Sequence, residues 1–351
     1  MAYTTINKGT AHFNTKLYTG DAASSLAITG VGFQPDLTWF KKRSATYSHM
    51  EFDAVRGVGK SLEPDTTAAQ GNQSNGLTSF DTDGFTIGDF SAGNNNGATY
   101  ASWNWKAGTS FTNSAGANGA NLATTAGSVN TDAGFSILKW NSSGMAGEGL
   151  LAHGLGVVPS VIMIKSTSAS DDWYTYHKSL GATKYVRLNQ TAAETSSTWL
   201  ENKTPTATLI SLDNTFWGTQ SVDYIAYCFA EKQGYSKFGS YTGNGNADGT
   251  FVYTGFKPAF VMVKRTDSAN NWTMYDNKRP NSFNEITHTL IANASDAEAT
   301  STSDDDCDFL SNGVKMRCTN NGSNGSGASY IYMAFAEAPL VGTNNVPCTA
   351  R

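Results

Sequence analysis

Charge is scarce in this chain. Asp, Glu, Lys and Arg make up 15 % of its 351 residues, against about 25 % in ordinary soluble domains. The 24 Lys and Arg are not gathered into clusters. That excludes a nucleic-acid groove, because neutralising phosphates takes massed cations, and it excludes a polybasic patch for a membrane surface. Long apolar runs are missing too. The longest, Val157–Ile164, is broken by Pro159 and Ser160, far short of the ~20 residues of a membrane helix. The opening MAYTTINKGT has no basic-then-apolar layout, so no signal peptide is expected. The four cysteines, Cys228, Cys307, Cys318 and Cys348, form no C-x-x-C pair, and a thiolate zinc site has no signature. No two of the five histidines lie three or four residues apart, and no G-x-S-x-G elbow occurs, which removes the common zinc-helix and hydrolase patterns.

Glycine and aromatics are plentiful: 35 Gly and 12 % Phe, Trp and Tyr. Thr, Ser and Asn take the surface role usually held by Lys and Glu. Together these favour an all-β protein with many turns and uncharged polar faces.

The chain repeats itself, and self-similarity outranks any short motif. GFQPDLTWFKKR begins at Gly32, GVVPSVIMIKST at Gly156 and GFKPAFVMVKRT at Gly255. Four further markers follow in the same order. HMEFDAVRG, DWYTYHKSLG and NWTMYDNKRP are short strands entered near a Trp or Met. LEPDTTAA, LNQTAAETSS and LIANASDAEAT are polar stretches. LTSFDTDGFTIG, TLISLDNTFWG and CDFLSNGVKMR read as hairpins. TYASWNWKAG, DYIAYCFAEKQG and SYIYMAFAEAP close each unit. The expected layout is an N-terminal arm at 1–11 and three β-sandwich units, jelly-roll or lectin-like, at 12–108, 134–234 and 235–339. A Gly, Ala, Ser and Asn-rich segment at 109–133 reads as a flexible linker, and 340–351 as an extended tail. Units of ~100 residues are large enough to hold a core each.

Within a unit, Pro35, Pro159 and Pro258 stand at strand entrances, where a missing N–H costs least. Asp83–Gly84 and Asn312–Gly313 read as two-residue hairpin turns. With Asn312–Gly313 as the turn, Cys307 would face Cys318, within disulfide range. Two free thiols are the other reading, and cytoplasmic synthesis favours them.

Candidate chemistry is thin. RGVGKS (Arg56–Ser61) approaches a phosphate loop, but Ala54 stands where that loop needs Gly, and a plain turn is the expectation. Asp304, Asp305 and Asp306 could offer oxygens to calcium but lack a known loop spacing. His177 with Asp171 or Asp172 could form an acid–base pair; a structural His is the expected alternative. Trp173, Tyr174 and Tyr176, with Trp272 and Tyr275, lie beside Asn and Asp. Aromatic faces beside amides and carboxylates suit sugar rings, whereas alternating aromatics in a sandwich also simply point inward.

GF-x-P-D-L-x-W-x-K-x-R, F-D-x-V-R-G-x-G-K, and TYASWNWKAG resemble a repeated domain of unknown function found in tailed-phage virion proteins. The stretches Tyr235–Ser268 and MAFAEAPLVGTNNVPCTAR are similar to the same proteins. His49–Met50 stands where the first unit would usually carry Trp. The resemblance implies a virion structural protein, made in the host cytoplasm and residing in the particle. A tail fibre or receptor-binding component touching host surface glycans is the leading expectation. A capsid decoration or head-fibre protein is the alternative, and a polysaccharide-degrading enzyme a distant third. No enzyme activity and no cofactor are expected. Other virion proteins are expected as partners, with homo-oligomers, trimers among them, and neither nucleic acid nor membrane.

Overall fold

The computed structural model describes residues 3–218, 221–280, 284–300, 305–342 and 346–348. It is built almost wholly of antiparallel strands. One strand order recurs in three large sheets. In the first lobe the order is Phe13–Thr19, Thr99–Trp105, Leu37–Lys42, Met50–Asp53. In the second it is Phe135–Asn141, Asp223–Phe229, Val161–Ser166, Tyr174–His177. In the third it is Ser236–Thr242, Ser329–Pro339, Phe256–Arg265, Trp272–Asp276. Each lobe adds a small outer sheet. These are Leu26–Thr29 with Gly84–Ile87 and Leu77–Asp81, then Gly149–Ala152 with Leu209–Leu212, then Phe251–Tyr253 with Gly313–Met316 and Cys307–Leu310.

The inner strands of the large sheets are buried on both faces, and period-2 alternation decides which core each side chain enters. Trp39, Met163 and Met262 point into one central core shared by all three lobes. Their neighbours Phe40, Ile162 and Ile164, and Val261 and Val263 point outward into three separate cores beneath the small sheets. At the centre, Trp105, Phe229 and Phe335, equivalent residues of the three closing strands, meet in a near-equilateral triangle. Their ring centroids are 6.2, 5.7 and 5.8 Å apart. The expectation of one self-sufficient core per unit is therefore corrected: the lobes share their largest core. The physical cause is visible in runs such as VIMI (Val161–Ile164), which are apolar at every position because both faces are covered.

The segment read as a flexible linker is folded. Ala126–Asn130 pairs with Phe135–Asn141 and extends the second large sheet, and Thr109–Ser110 pairs beyond it. Asn113 and Thr124 exchange backbone hydrogen bonds. In the N-terminal arm, Ile6 enters the central core and Thr4 donates to the Gln233 carbonyl. The tail folds back on itself over its described residues: Cys348 N–H returns to the Leu340 carbonyl, and Val341 and Pro347 form an antiparallel bridge.

Both hairpin turns fall one residue earlier than their Gly suggests. Leu310 pairs with Gly313 and Asp81 with Gly84, so the turns are Ser311–Asn312 and Thr82–Asp83. Cys307 accordingly faces Met316, and all four cysteines are free thiols. The glycines serve a close approach instead. A Cβ on Gly84 would lie 1.9 Å from the Ile28 carbonyl oxygen, and one on Gly313 2.3 Å from that of Val252. Gly84→Ala is expected to cost roughly 1–3 kcal/mol through this clash, measured by urea unfolding. In the second lobe the expected hairpin at Thr208–Gly218 is one strand followed by the short helix Asn214–Trp217. Asp213 caps that helix, accepting from the N–H groups of Thr215 and Phe216.

Candidate functional site

Perturbed ionisable groups mark functional sites when they line a cleft. Here one set of them gathers where the lobes meet, beside contacts that run in a ring from each lobe to the next. Trp173 Nε1 donates to the Glu63 carbonyl at 3.0 Å, and Trp272 Nε1 to the Arg187 carbonyl at 2.8 Å. His49, in the equivalent place, sets Nε2 at 2.9 Å from the Ile291 carbonyl. The backbone N–H of each clasping residue is held by its own lobe: by Asp65, Asn189 and Asn293 respectively for His49, Trp173 and Trp272. His49 brings a second ring nitrogen that Trp lacks. Trp39 Nε1 donates to it at 2.9 Å, which leaves Nε2 as the donor to Ile291; the other lobes carry Met163 and Met262 there. Burial pushes the His49 pKa well down, so the ring is neutral. Trp173→Phe removes one clasp bond from a closed ring. It should cost about 1 kcal/mol, read as a shift in urea midpoint.

The lysine that ends each entry strand does parallel work. Lys41 Nζ donates to the Ser295 carbonyl, Lys165 to Thr67 and Lys264 to Thr191, each in a neighbouring lobe. Burial lowers all three to a pKa of about 8. Four residues after each of His49, Trp173 and Trp272 stand Asp53, His177 and Asp276. Asp53 is bound by Arg56 and by Tyr227 Oη of the second lobe, 2.8 Å away. Asp276 is bound by Arg279 and by Trp103 Nε1 of the first lobe at 3.0 Å. The second lobe departs from this. Its closing-strand neighbour is Met333, which has no donor, and with it the acid and the arginine are replaced by His177 and Leu180. His177 Nε2 meets the Tyr332 carbonyl at 3.1 Å while Nδ1 accepts from Ser179 N–H. Burial holds its pKa at about 4.

These positions dispose of several candidates. Trp173 and Trp272 lie in the central core, Tyr176 in the second lobe's outer core and Tyr275 in the third's. Tyr174 is half-buried and hydrogen-bonds Asp171 at 3.0 Å. The five aromatics form no common platform. His177 meets the Tyr332 carbonyl and Ser179 N–H rather than Asp171 or Asp172, and Asp172 pairs with Arg187 at 2.9 Å. Arg56 of RGVGKS points inward to Asp53 and the Lys60 carbonyl. Asp304 falls outside the described residues. Asp305 accepts from Ser323, and the Asp306 carbonyl accepts from Arg317 N–H. Among the described residues no group of three His, Cys, Asp or Glu could hold a metal ion, and no helix is long and apolar enough to cross a membrane.

What reaches solvent is different in kind. A cleft of about 410 Å³ lies between the second and third lobes, lined by Ser179, Glu194, Ser240, Thr242, Thr266 and Asp267, with Tyr241 and Tyr330 at its wall. Glu194 is held by Lys184, and Asp267 by Arg265 at 2.7 Å. The cleft presents hydroxyls, two oriented carboxylates and tyrosine surface. Sequence reasoning missed it because it is assembled from five separated segments. The inter-lobe acids had a readable signal: Asp53 and Arg56 recur at the same spacing as Asp276 and Arg279.

The fold and its contacts define a three-lobed, internally interlocked all-β protein in which a set of buried ionisable residues fastens lobe to lobe. A single family model, described as "Domain of unknown function (DUF7483)", matches residues 8–339, and the chain belongs to that family. No curated protein and no solved structure matches it.

Proposed function

We propose that this is a non-enzymatic virion structural protein whose lobes are three copies of one sandwich-derived unit, fused through a common core. The leading role is adhesion: a tail-fibre or receptor-binding component contacting host surface glycans. One observation carries the reading. Most of the ionisable residues that recur between lobes are spent on fastening those lobes, while the open cleft at Ser240 and Asp267 offers hydroxyls and oriented carboxylates. Sugars are bound by such groups together with aromatic surface. Several weak sites on one rigid body would add avidity.

A glycan array probed with the whole chain tests this. Binding that is lost in Ser240→Arg, with the melting temperature unchanged, is the expected result. No binding to any host-surface glycan overturns the adhesive role. A capsid decoration or head-fibre protein is the second reading, favoured by the exposed apolar edge at Phe251 and Tyr253. Antibody label over the shell rather than at the tail tip would select it. Turnover of a host polysaccharide would overturn the non-enzymatic assignment.

A further inference from the structure

The small outer sheets of the second and third lobes end differently. In the second lobe the edge strand Gly149–Ala152 is covered by residues 121–124 of the preceding segment. Leu150 N–H donates to Asn121 Oδ1 at 2.6 Å, and the Leu150 carbonyl accepts from the N–H groups of Asn121 and Leu122, both at 3.1 Å. Thr124 Oγ1 donates to the Ala152 carbonyl at 2.9 Å. Leu122 and Leu151 form a parallel bridge. The outward peptide groups of that edge are thus met by one short, uncharged, extended segment.

The equivalent edge of the third lobe is Phe251–Tyr253, as the pairing of the buried central residues shows: Leu151 with Ile210, and Val252 with Val314. Its ladder uses alternate residues. The Thr250 carbonyl accepts from Met316 N–H, and Thr254 N–H donates to the Asn312 carbonyl. By the alternation of antiparallel bonding, the peptide groups of Phe251 and Tyr253 face away from the sheet. No described strand pairs with that side. Their side chains are 44 % and 54 % exposed. Such an edge is a template for strand addition. Nearby charges are paired among themselves: Lys315 with Asp248, and Arg317 with Asp308. The edge therefore offers an incoming chain no unbalanced charge.

We infer that the Phe251–Tyr253 edge is a docking site for an extended, uncharged segment of a partner polypeptide. That segment runs parallel to the strand and presents an amide side chain followed by a branched apolar residue, as Asn121–Leu122 does in the second lobe. The amide accepts from Phe251 N–H, its backbone donates to the Phe251 carbonyl, and the apolar residue covers Val252. This inference stands independently of any glycan binding.

The probe is a synthetic peptide of residues 117–126 (ANGANLATTA), titrated into the whole chain while amide exchange is followed by residue. At saturation, exchange at Phe251 and Tyr253 should slow at least tenfold, with 149–152 and the closing strand 329–339 unchanged. Replacing the peptide's second Asn, the one that corresponds to Asn121, by Ala should weaken binding about tenfold, the worth of one well-placed hydrogen bond. Phe251→Pro removes the outward N–H that the amide accepts from, but no ladder bond, and should abolish binding. Should that variant misfold, Phe251→Ala, which keeps the edge and removes a ring, should weaken it. Unchanged exchange at 250–254 under saturating peptide overturns the inference. So does binding indifferent to both variants. Concentration-dependent dimerisation lost in Phe251→Pro would also overturn it, by making a second copy of this chain the occupant.

Discussion

Arg279→Leu is expected to lower the unfolding free energy by about 3–5 kcal/mol, because it strands a buried carboxylate. Asp276 is fully enclosed. It accepts from Arg279 Nε at 2.5 Å, from the N–H groups of Lys278 and Arg279, and from Trp103 Nε1 across the lobe boundary. Burial alone would raise its pKa; the guanidinium and these donors bring it below the ordinary carboxylate value instead. Arg279 also reaches the Met274 carbonyl at 2.8 Å and Glu298 at 3.2 Å, so one substitution loosens three contacts. A second change gives the diagnostic result. Adding Asp276→Asn to Arg279→Leu keeps an acceptor for Trp103 and removes the stranded charge. At neutral pH the double variant should therefore be more stable than the single one. The second lobe lends this support, since His177 and Leu180 fill the same places without any charge at neutral pH. Urea unfolding at pH 7 checks both variants. A single variant within 1 kcal/mol of the parent, or a double variant less stable than the single, sinks the account.

That chemistry explains why some features were legible in sequence and others were not. The all-β class follows from Gly-punctuated apolar runs, and the Pro–strand–Lys markers locate the entry strands correctly. The central core was harder. A strand covered on one face alternates apolar with polar, whereas Val161–Ile164 and Ala259–Val263 do not. The run itself signals two-sided burial, but it does not name what lies on the second face. Trp173 and Trp272 beside Asp and Asn imitate a sugar platform. Residues near them, Asn189 and Asn293, are in fact holding backbone N–H groups in place. Composition misled at 109–133, where small uncharged residues suggest mobility; Asn121 and Thr124 spend their side chains on a sheet edge. The cleft at Ser240 could not be foreseen, since its lining residues meet only once the lobes are fastened.

Glu51 carries the second large effect. It is 1 % exposed, and its Oε2 has no hydrogen-bond partner among the described residues. It lines a closed central cavity of about 10 Å³, walled otherwise by Trp39, Trp105, Met163, Tyr227, Phe229, Phe260, Met262, Met333 and Leu37. That is space for about one water. The charged groups facing it are Arg56, which favours its ionised form, and Asp53, which opposes it; Tyr227 stands beside both. Burial dominates and raises the carboxyl to a pKa of about 8, from 4.5 when unfolded. Between those values the folded chain holds a proton that the unfolded chain has released, so stability falls as pH rises from 4.5 to 8 and levels off above. At about 1.4 kcal/mol per unit of displacement, the loss is roughly 3–5 kcal/mol. Asp65 and the buried histidines titrate in the same window, so the measurement is a difference. Glu51→Gln and the parent are unfolded side by side in urea from pH 4.5 to 8.5. The variant's advantage should grow with pH by that amount and then stay constant. A difference flat across the window would mean that Arg56 holds Glu51 ionised in the folded chain, and the neutral carboxyl at the meeting point of the lobes would have to be abandoned.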